Sequence, residues 1–243
     1  MVDLTARQVQ ILRAIVEEFI STAEPVGSEA LDRKFNLGVS PATIRNDMVQ
    51  LTKLGYLMKP HSSAGRQPTA AALKLYIREL MKEKDLSVAD EVSLKERIWS
   101  ERNDKDDLLR EATKILADKC DAVGIAIDAG DKFIISAGYS HLLSMPEFYD
   151  IETMRHVLTL IEEFPLMHEI VVSTIDDNPV KLVFGADLGN KYLAPVSMLY
   201  IDFTLDDNLY QLGVLGCHRF DYQYVVPMLR YFRVLIQDMV KSE

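Results

Sequence analysis

The chain has 243 residues, of which 48% are apolar, so it can build one large or two ordinary hydrophobic cores, and disorder is not expected. It has no run of about 18 apolar residues and no basic start followed by an apolar segment, which excludes a membrane helix and predicts a cytoplasmic protein. The net charge of −10 is divided unevenly, since residues 1–84 carry 12 basic and 9 acidic side chains and the remainder 15 and 28. Such asymmetry is typical of a basic nucleic-acid-binding module joined to an acidic domain.

Two helices are predicted at the start of the chain, of which the second is short. Thr5 and Gln8 have the spacing of a capping box, and the apolar residues that follow recur at helical intervals to about Thr22. A turn containing proline and glycine comes next, and Ser28 is expected to cap a second helix over 29–35.

A third helix is predicted from Ser40, as N-cap, to Gly55, with Pro41 at its first position. At 100° per residue its core side carries Ile44, Met48 and Leu51. Its outer side carries Ala42, Thr43, Asn46, Val49, Gln50 and Lys53, with Arg45 at the border. That outer side has hydrogen-bonding side chains and lacks carboxylates, which favours a DNA-reading face over an ordinary solvated one.

The segment after the third helix is a basic loop rich in turn-forming residues. It runs over 59–67 and contains His61, Ser62 and Arg66. Such a loop can bring Arg66 and backbone N–H groups to DNA phosphates or into the minor groove, although an ordinary exposed hairpin has the same composition. With a closing helix over 69–83, residues 1–84 are predicted to form a winged helix-turn-helix domain.

The rest of the chain is predicted to be an α+β domain. Residues 85–107 are strongly charged and are interpreted as a partly helical linker, and 108–243 as the second domain. A mostly antiparallel sheet with helices on one side is the simplest architecture. Its strands are expected over 122–128, 132–137, 169–174, 180–184, 196–203 and 211–217, and its helices over 107–119, 151–164 and 222–240.

The sequence offers little for catalysis. Cys217, His218 and Asp221 have the residue types of a thiol nucleophile, a base and an orienting acid, but neighbours on a strand point to opposite faces. Cys120 and Cys217 lack zinc-ligand spacing, and no glycine-rich nucleotide loop is present. We therefore predict no enzyme activity, no metal and no cofactor.

Three segments resemble the N-terminal domain of the HrcA-type heat-inducible transcription repressors. They are LTARQVQILRAIVEEFISTAEPVGSEAL, SPATIRNDMVQLTKLGYL and KPHSSAGRQPT, and the second half agrees around Leu108, from Gly138 and from Leu212. The resemblance implies a dimeric repressor with a GAF-like C-terminal domain that binds an inverted-repeat operator of chaperone operons. It also implies release under heat stress and a chaperonin partner. The implied DNA-binding residues are Thr43, Arg45, Asn46, Gln50, His61, Ser62 and Arg66, to which the helix pattern adds Lys53.

One departure from the family concerns length. Members usually carry an inserted domain that is implicated in dimerisation, but here Asp128 is followed almost at once by residues 132–144, so the insert is expected to be missing. An alternative function is a small-molecule sensor whose GAF-like half binds a ligand and uses the first domain as its output. A pocket with a few convergent polar groups in the second half would favour that alternative.

Overall fold

The structure is a computed structural model that describes residues 4–61, 64–205 and 208–240. The chain forms two compact units, residues 1–82 and 83–243. Within the described ranges, no helix is both long and apolar enough to cross a membrane.

The first unit packs four helices against a small two-stranded sheet. Its elements are α1 (Ala6–Thr22), α2 (Ser28–Phe35), α3 (Pro41–Lys53), β1 (Leu57–Met58), β2 (Gln67–Pro68) and α4 (Ala70–Leu75), followed by a π-helical turn (Tyr76–Leu80). The two strands pair antiparallel. The core joins apolar side chains of α1, α2 and α3, among them Ile11, Ile15, Leu31, Ile44 and Leu51.

The helix starts of the first unit follow mostly from local chemistry. The predicted capping box is confirmed, because Thr5 Oγ1 accepts from the Gln8 amide at 3.3 Å and Gln8 Oε1 accepts from the Thr5 amide at 3.0 Å. The expected cap of α2 is wrong, since Gly27 is the N-cap and Ser28 is the first helical residue. The closing helix predicted over 69–83 is present from Ala70, but it changes to a π-helical turn at Tyr76 and ends at Leu80.

The second unit is built on a five-stranded sheet of order β4-β3-β7-β6-β5 in which every pair is antiparallel. Its strands are β3 (Val123–Asp128), β4 (Phe133–Ala137), β5 (Lys181–Phe184), β6 (Val196–Leu205) and β7 (Asn208–Cys217). Its helices are α5 (Val88–Ser100), α6 (Lys105–Cys120), α7 (Ile151–Glu162), α8 (Phe164–Ser173) and α9 (Tyr222–Val240), with 3₁₀ turns at Tyr139–Ser144, Pro146–Phe148 and Gly185–Leu188. The α+β class and the antiparallel sheet are confirmed.

Helices cover both faces of this sheet, so the expectation of helices on one side is wrong. Val123 and Ile125 of β3 share a core with Val157 of α7 and Met167 of α8. Gly124, which points the other way, approaches α6 so closely that a Cβ atom would lie 2.0 Å from the Thr113 carbonyl oxygen. Strands buried on both faces need no polar alternation, which is why β3 and β7 read as continuous apolar runs.

The strand expected over 169–174 is wrong, because residues 169–173 are the C-terminal part of α8 and Thr174 is its C-cap. The β-branched residues of this segment suggested a strand. Pro165 lies in the first turn, where its fixed φ favours helix, and Met167 and Val171, one turn apart, are both buried. Tertiary packing of this apolar face outweighs the weak β preference of the local sequence.

The charged segment over 85–107 lies in the second unit and contains α5 and the first residues of α6. Leu94 and Ile98 of this helix are buried. Arg97 forms an ion pair with Glu111 of α6, with 2.7 Å between Nε and Oε1. Lys119 pairs with Asp90 in the same interface. The inner face of α5 is therefore fixed on α6.

Candidate nucleic-acid interface

The outer side of α3 is open to solvent. Ile44, Met48 and Leu51 are buried, whereas Arg45, Asn46, Gln50 and Lys53 are exposed and Thr43 is half-buried. Within the described ranges, no hydrogen bond within the protein occupies the side-chain amides of Asn46 and Gln50. Four side chains that can contact bases or phosphates therefore lie on one accessible helix face.

The start of α3 is held by its N-cap. Ser40 Oγ accepts a hydrogen bond from the Thr43 amide at 3.3 Å and lies 3.0 Å from Thr43 Oγ1. Pro41, in the first turn, lacks the N–H that would otherwise need a partner. The Thr43 hydroxyl is thus partly engaged at the helix start.

The carboxylate of α3 does not reach the outer side. Asp47 is the helix's one acidic residue, and its side chain is only 8% exposed. Its Oδ2 accepts a hydrogen bond from Arg7 Nε of α1 at 2.6 Å. This hydrogen bond raises the pKa of Arg7 above its ordinary value. The outer face of α3 consequently carries no negative charge toward a polyanion.

The loop 59–66 is anchored at its second end to the turn before α2. Arg66 and Val26 exchange backbone hydrogen bonds of 2.9 and 2.8 Å. Gly65 passes so close that a Cβ atom there would lie 2.4 Å from the Val26 carbonyl oxygen. Glycine is required at that position because any side chain would collide with backbone.

Arg66 is positioned at the base of this loop. Its guanidinium donates from Nε to Thr52 Oγ1 of α3 at 3.1 Å and from Nη1 to the Gly65 carbonyl at 3.4 Å. The residue is half-buried, so part of it stays accessible to solvent. His61 is exposed, and Ser62 lies outside the described residues.

A concavity of about 380 Å³ separates α3 from the loop. Three cationic side chains line it, Arg45, Lys59 and Arg66, together with Gly27 and Ser28 at the start of α2. The N-terminus of a helix favours anions, and Gly27 has no side chain to cap it. The concavity therefore has the charge and the donors to accept a phosphate group.

Lys59 and the start of α2 were not among the residues predicted from sequence. The charge of Lys59 in a turn-rich loop was an available signal. The start of α2 gave none, because it reaches the site through the pairing of Val26 with Arg66, which are 40 residues apart.

The residues considered for catalysis are engaged elsewhere. Burial raises the pKa of the Cys217 thiol to about 11, which keeps it protonated. Burial lowers the pKa of His218, whose Nδ1 lies 3.0 Å from the Pro195 carbonyl oxygen. Asp221 pairs with Lys84, with 2.6 Å between Oδ2 and Nζ. These three side chains do not form a nucleophile, base and orienting acid.

Comparison with known proteins gives a consistent result along most of the chain. The profile of a family described as "HrcA protein C terminal domain" matches residues 45–226. A protein of Symbiobacterium thermophilum named "Heat-inducible transcription repressor HrcA" is 43% identical over an alignment of 333 residues that covers 96% of this chain and 98% of the relative. A protein of the same name from Shouchella clausii is 30% identical, with 93% of this chain and 64% of the relative covered.

The relatives differ from this chain in length. The Symbiobacterium alignment of 333 residues is 90 longer than the chain's 243, so that relative carries at least 90 residues without a counterpart here. The chain spans less than two thirds of the length of the Shouchella protein. In fold, it is similar to a protein titled "Crystal structure of a hypothetical protein at 2.2 A resolution", with a TM-score of 0.70, 17% identity and 98% of each chain covered.

Proposed function

Since the chain belongs to the family of HrcA heat-inducible transcription repressors, we propose that its first unit is a winged helix-turn-helix that lays α3 in the major groove of operator DNA. The observation that carries this proposal is the outer face of α3, where Arg45, Asn46 and Gln50 are exposed and no carboxylate competes. In this proposal the loop 59–66 is the wing.

The chemistry of each side chain suggests its part in binding. Asn46 and Gln50 have the donor and acceptor pair that matches adenine, and Arg45 can reach guanine or a phosphate. The methyl groups of Thr43 and Val49 suit the thymine methyl. Lys53, His61 and Arg66 are assigned to the phosphate backbone, together with Ser62 by family resemblance.

We propose further that the second unit, residues 83–243, is a GAF-like regulatory domain and that the protein acts as a homodimer on an inverted-repeat operator of chaperone genes. Two copies then place their α3 helices in successive major grooves about 34 Å apart. Heat stress releases the repressor, and a chaperonin is its proposed partner. Family membership supports these assignments.

The test compares a base-reading residue with a phosphate-binding residue. We expect Asn46→Ala to reduce operator affinity by about 1–3 kcal/mol and to leave binding to random DNA nearly unchanged, since a lost base contact removes discrimination. Arg66→Ala should weaken both DNAs alike and reduce the dependence of affinity on salt. Fluorescence anisotropy with operator and random duplexes over a salt series measures both effects.

Asn103→Ala and Arg110→Ala provide matched controls, because both residues are exposed in the second unit and should leave binding unchanged. An equal loss on operator and random DNA for Asn46→Ala would refute the base-reading role. Absence of any operator footprint for the unmodified protein would refute the repressor function itself.

A second candidate function, a small-molecule sensor, is favoured by one cavity. It has a volume of about 330 Å³ in the second unit and is lined by Cys120, Met145, Cys217, Phe220 and Tyr224, among others. Its size and its mixture of apolar and polar groups suit a small ligand. A thermal shift screen against metabolites tests it, since a compound at 100 times its Kd should stabilise the protein by about 2.7 kcal/mol. If no compound stabilises the protein, this second function is rejected.

A further inference from the structure

Helix α5 presents an apolar stripe to solvent. Val88 is 76% exposed, Val92 50% and Trp99 38%. With Lys95, these residues follow a 4-3-4 spacing, so at 100° per residue all four fall within about 60° of the helix circumference. That spacing is typical of a seam between two packed helices, and an ordinary solvated helix face seldom exposes three large apolar side chains.

The stripe takes little part in the fold of the second unit, in which the Arg102 guanidinium carbon lies 5.2 Å from the centroid of the Trp99 ring. The inner face of α5 packs on α6 through Leu94, Ile98 and the ion pairs of Asp90 and Arg97. Within the described ranges, Lys95 and Glu96, at the middle of the stripe and its border, form no ion pair. On neighbouring α9, whose Tyr231 donates a hydrogen bond to the Glu91 carbonyl at 3.1 Å, Val234 is also 50% exposed.

We infer that this stripe is the contact between two copies of the chain, with the two α5 helices antiparallel around a two-fold axis beside the peptide that joins Lys95 and Glu96. In that register the ammonium of Lys95 meets Glu96 of the partner subunit, and the contact is repeated by symmetry. Val92 packs against Trp99 of the partner subunit. The surface is therefore complementary to itself in both charge and apolar contact, as a two-fold interface requires.

This inference rests on the proposed function in one respect, which is that an inverted repeat needs a dimer. It assigns the dimer contact to residues that lie outside the DNA-binding unit and do not depend on an inserted domain. A pair of three-turn helices buries less surface than the roughly 1,200–2,000 Å² of a standard stable interface. The dimer in free solution should accordingly be weak, and two adjacent half-sites should strengthen it through effective concentration.

The decisive experiment is a charge exchange measured by sedimentation equilibrium on the full chain. Lys95→Glu and Glu96→Lys should each raise the dimer Kd at least about tenfold, because each places like charges opposite one another. The double variant, which carries both changes, should return within about threefold of the unmodified protein, since the pair is restored with reversed sign. Both positions are exposed, so neither change is expected to impair folding, and circular dichroism confirms this for each variant.

The matched control is Lys114→Glu, which makes the same substitution at an exposed position of α6. It should leave the dimer Kd unchanged. The chain's single tryptophan, Trp99, provides a direct readout at the contact itself. Its emission should shift to the blue as concentration rises through the dimer Kd, and that shift should disappear in Lys95→Glu.

A protein that stays monomeric at its highest soluble concentration and on a two-half-site duplex would overturn the inference and would mean that a different partner covers the stripe. A dimer that is indifferent to both charge changes would overturn it as well. Either result can occur while the unmodified protein still binds a single operator half-site, which leaves the proposed function standing. Loss of all operator binding in the unmodified protein would count against the proposed function and not against the α5 contact.

Discussion

At the scale of single residues, the direction of one carboxylate decides what α3 can bind. Asp47 lies one position from Asn46, and if it pointed outward it would add a negative charge to the face that we propose contacts DNA. It instead accepts a hydrogen bond from Arg7 and stays buried. The same side chain thus links α1 to α3 and keeps the outer face of α3 free of negative charge.

A second residue-scale pair predicts how stability depends on pH. Glu147 and Arg219 form an ion pair in which the Glu147 side chain is 15% exposed and the Arg219 side chain 14%. Burial raises the pKa of Glu147, but the hydrogen bonds and the positive charge of Arg219 lower it by more than burial raises it. The net pKa therefore lies below its ordinary value of 4.5. A carboxyl group whose pKa is lower in the folded state stabilises that state above its unfolded pKa, and this stabilisation is lost as the pH falls through the folded value.

We therefore expect Glu147→Gln to lower the free energy of unfolding by about 1.5–3 kcal/mol at pH 7. The difference from the unmodified protein should shrink as the pH is lowered below about 4.5. Urea unfolding at a series of pH values measures this. Glu152→Gln, which disrupts the exposed pair with Arg155, is the control and should cost less than about 1 kcal/mol. A Glu147→Gln difference that stays constant down to pH 3 would contradict the assignment.

At the scale of elements, two substitutions at the N-cap of α3, Ser40, distinguish an effect on stability from an effect on DNA binding. Ser40→Ala removes the acceptor for the Thr43 amide and should destabilise the first unit by about 1 kcal/mol. Ser40→Asp keeps an acceptor there and should retain stability, but its negative charge near the groove should weaken DNA binding. Chemical unfolding together with anisotropy on operator DNA distinguishes the two effects. Equal DNA affinity for Ser40→Asp and the unmodified protein would place α3 away from the phosphates.

The elements also indicate how much the sequence could predict. The start of α3 was predictable because Ser40 and Pro41 act locally, and the strands of the sheet carry strong apolar runs. The helical state of 169–173 was not, since it depends on the burial of Met167 and Val171 beneath strands that are distant in sequence. At the candidate interface, the exposed face of α3 was predictable from the helical period. The concavity lined by Gly27 and Ser28 was not, because it depends on the pairing of Val26 with Arg66, which are 40 residues apart.

At the scale of the whole molecule, the two parts of the chain carry net charges of opposite sign. The first 84 residues carry a net charge of +3, from 12 basic and 9 acidic side chains, and the remainder carries −13. A modest positive charge on the first 84 residues favours binding to DNA, while the acidic remainder repels DNA nonspecifically. The protein as a whole should therefore depend on specific contacts more than a uniformly basic protein would.

Dimer geometry gives a prediction at this scale. If two α3 helices read half-sites about 34 Å apart, inserting 5 base pairs between the half-sites rotates one of them by half a helical turn to the opposite face. Affinity should fall by roughly 10²-fold or more, since simultaneous engagement is lost. Inserting 10 base pairs should restore part of it. Quantitative footprinting on the three duplexes measures this, and equal affinity for all three would argue against two-site binding.

The close approach of α6 to β3 has a consequence for how mutations at one glycine are interpreted. At Gly124 even a methyl group would meet the Thr113 carbonyl oxygen at 2.0 Å, and that atom belongs to the backbone. A saturation library at this codon, selected only for soluble protein, should return glycine almost exclusively. Such intolerance reflects the short distance between α6 and β3 and not a role in binding. A genetic screen for repression-defective alleles would therefore recover Gly124 variants that fail to fold, although this residue does not contact a promoter.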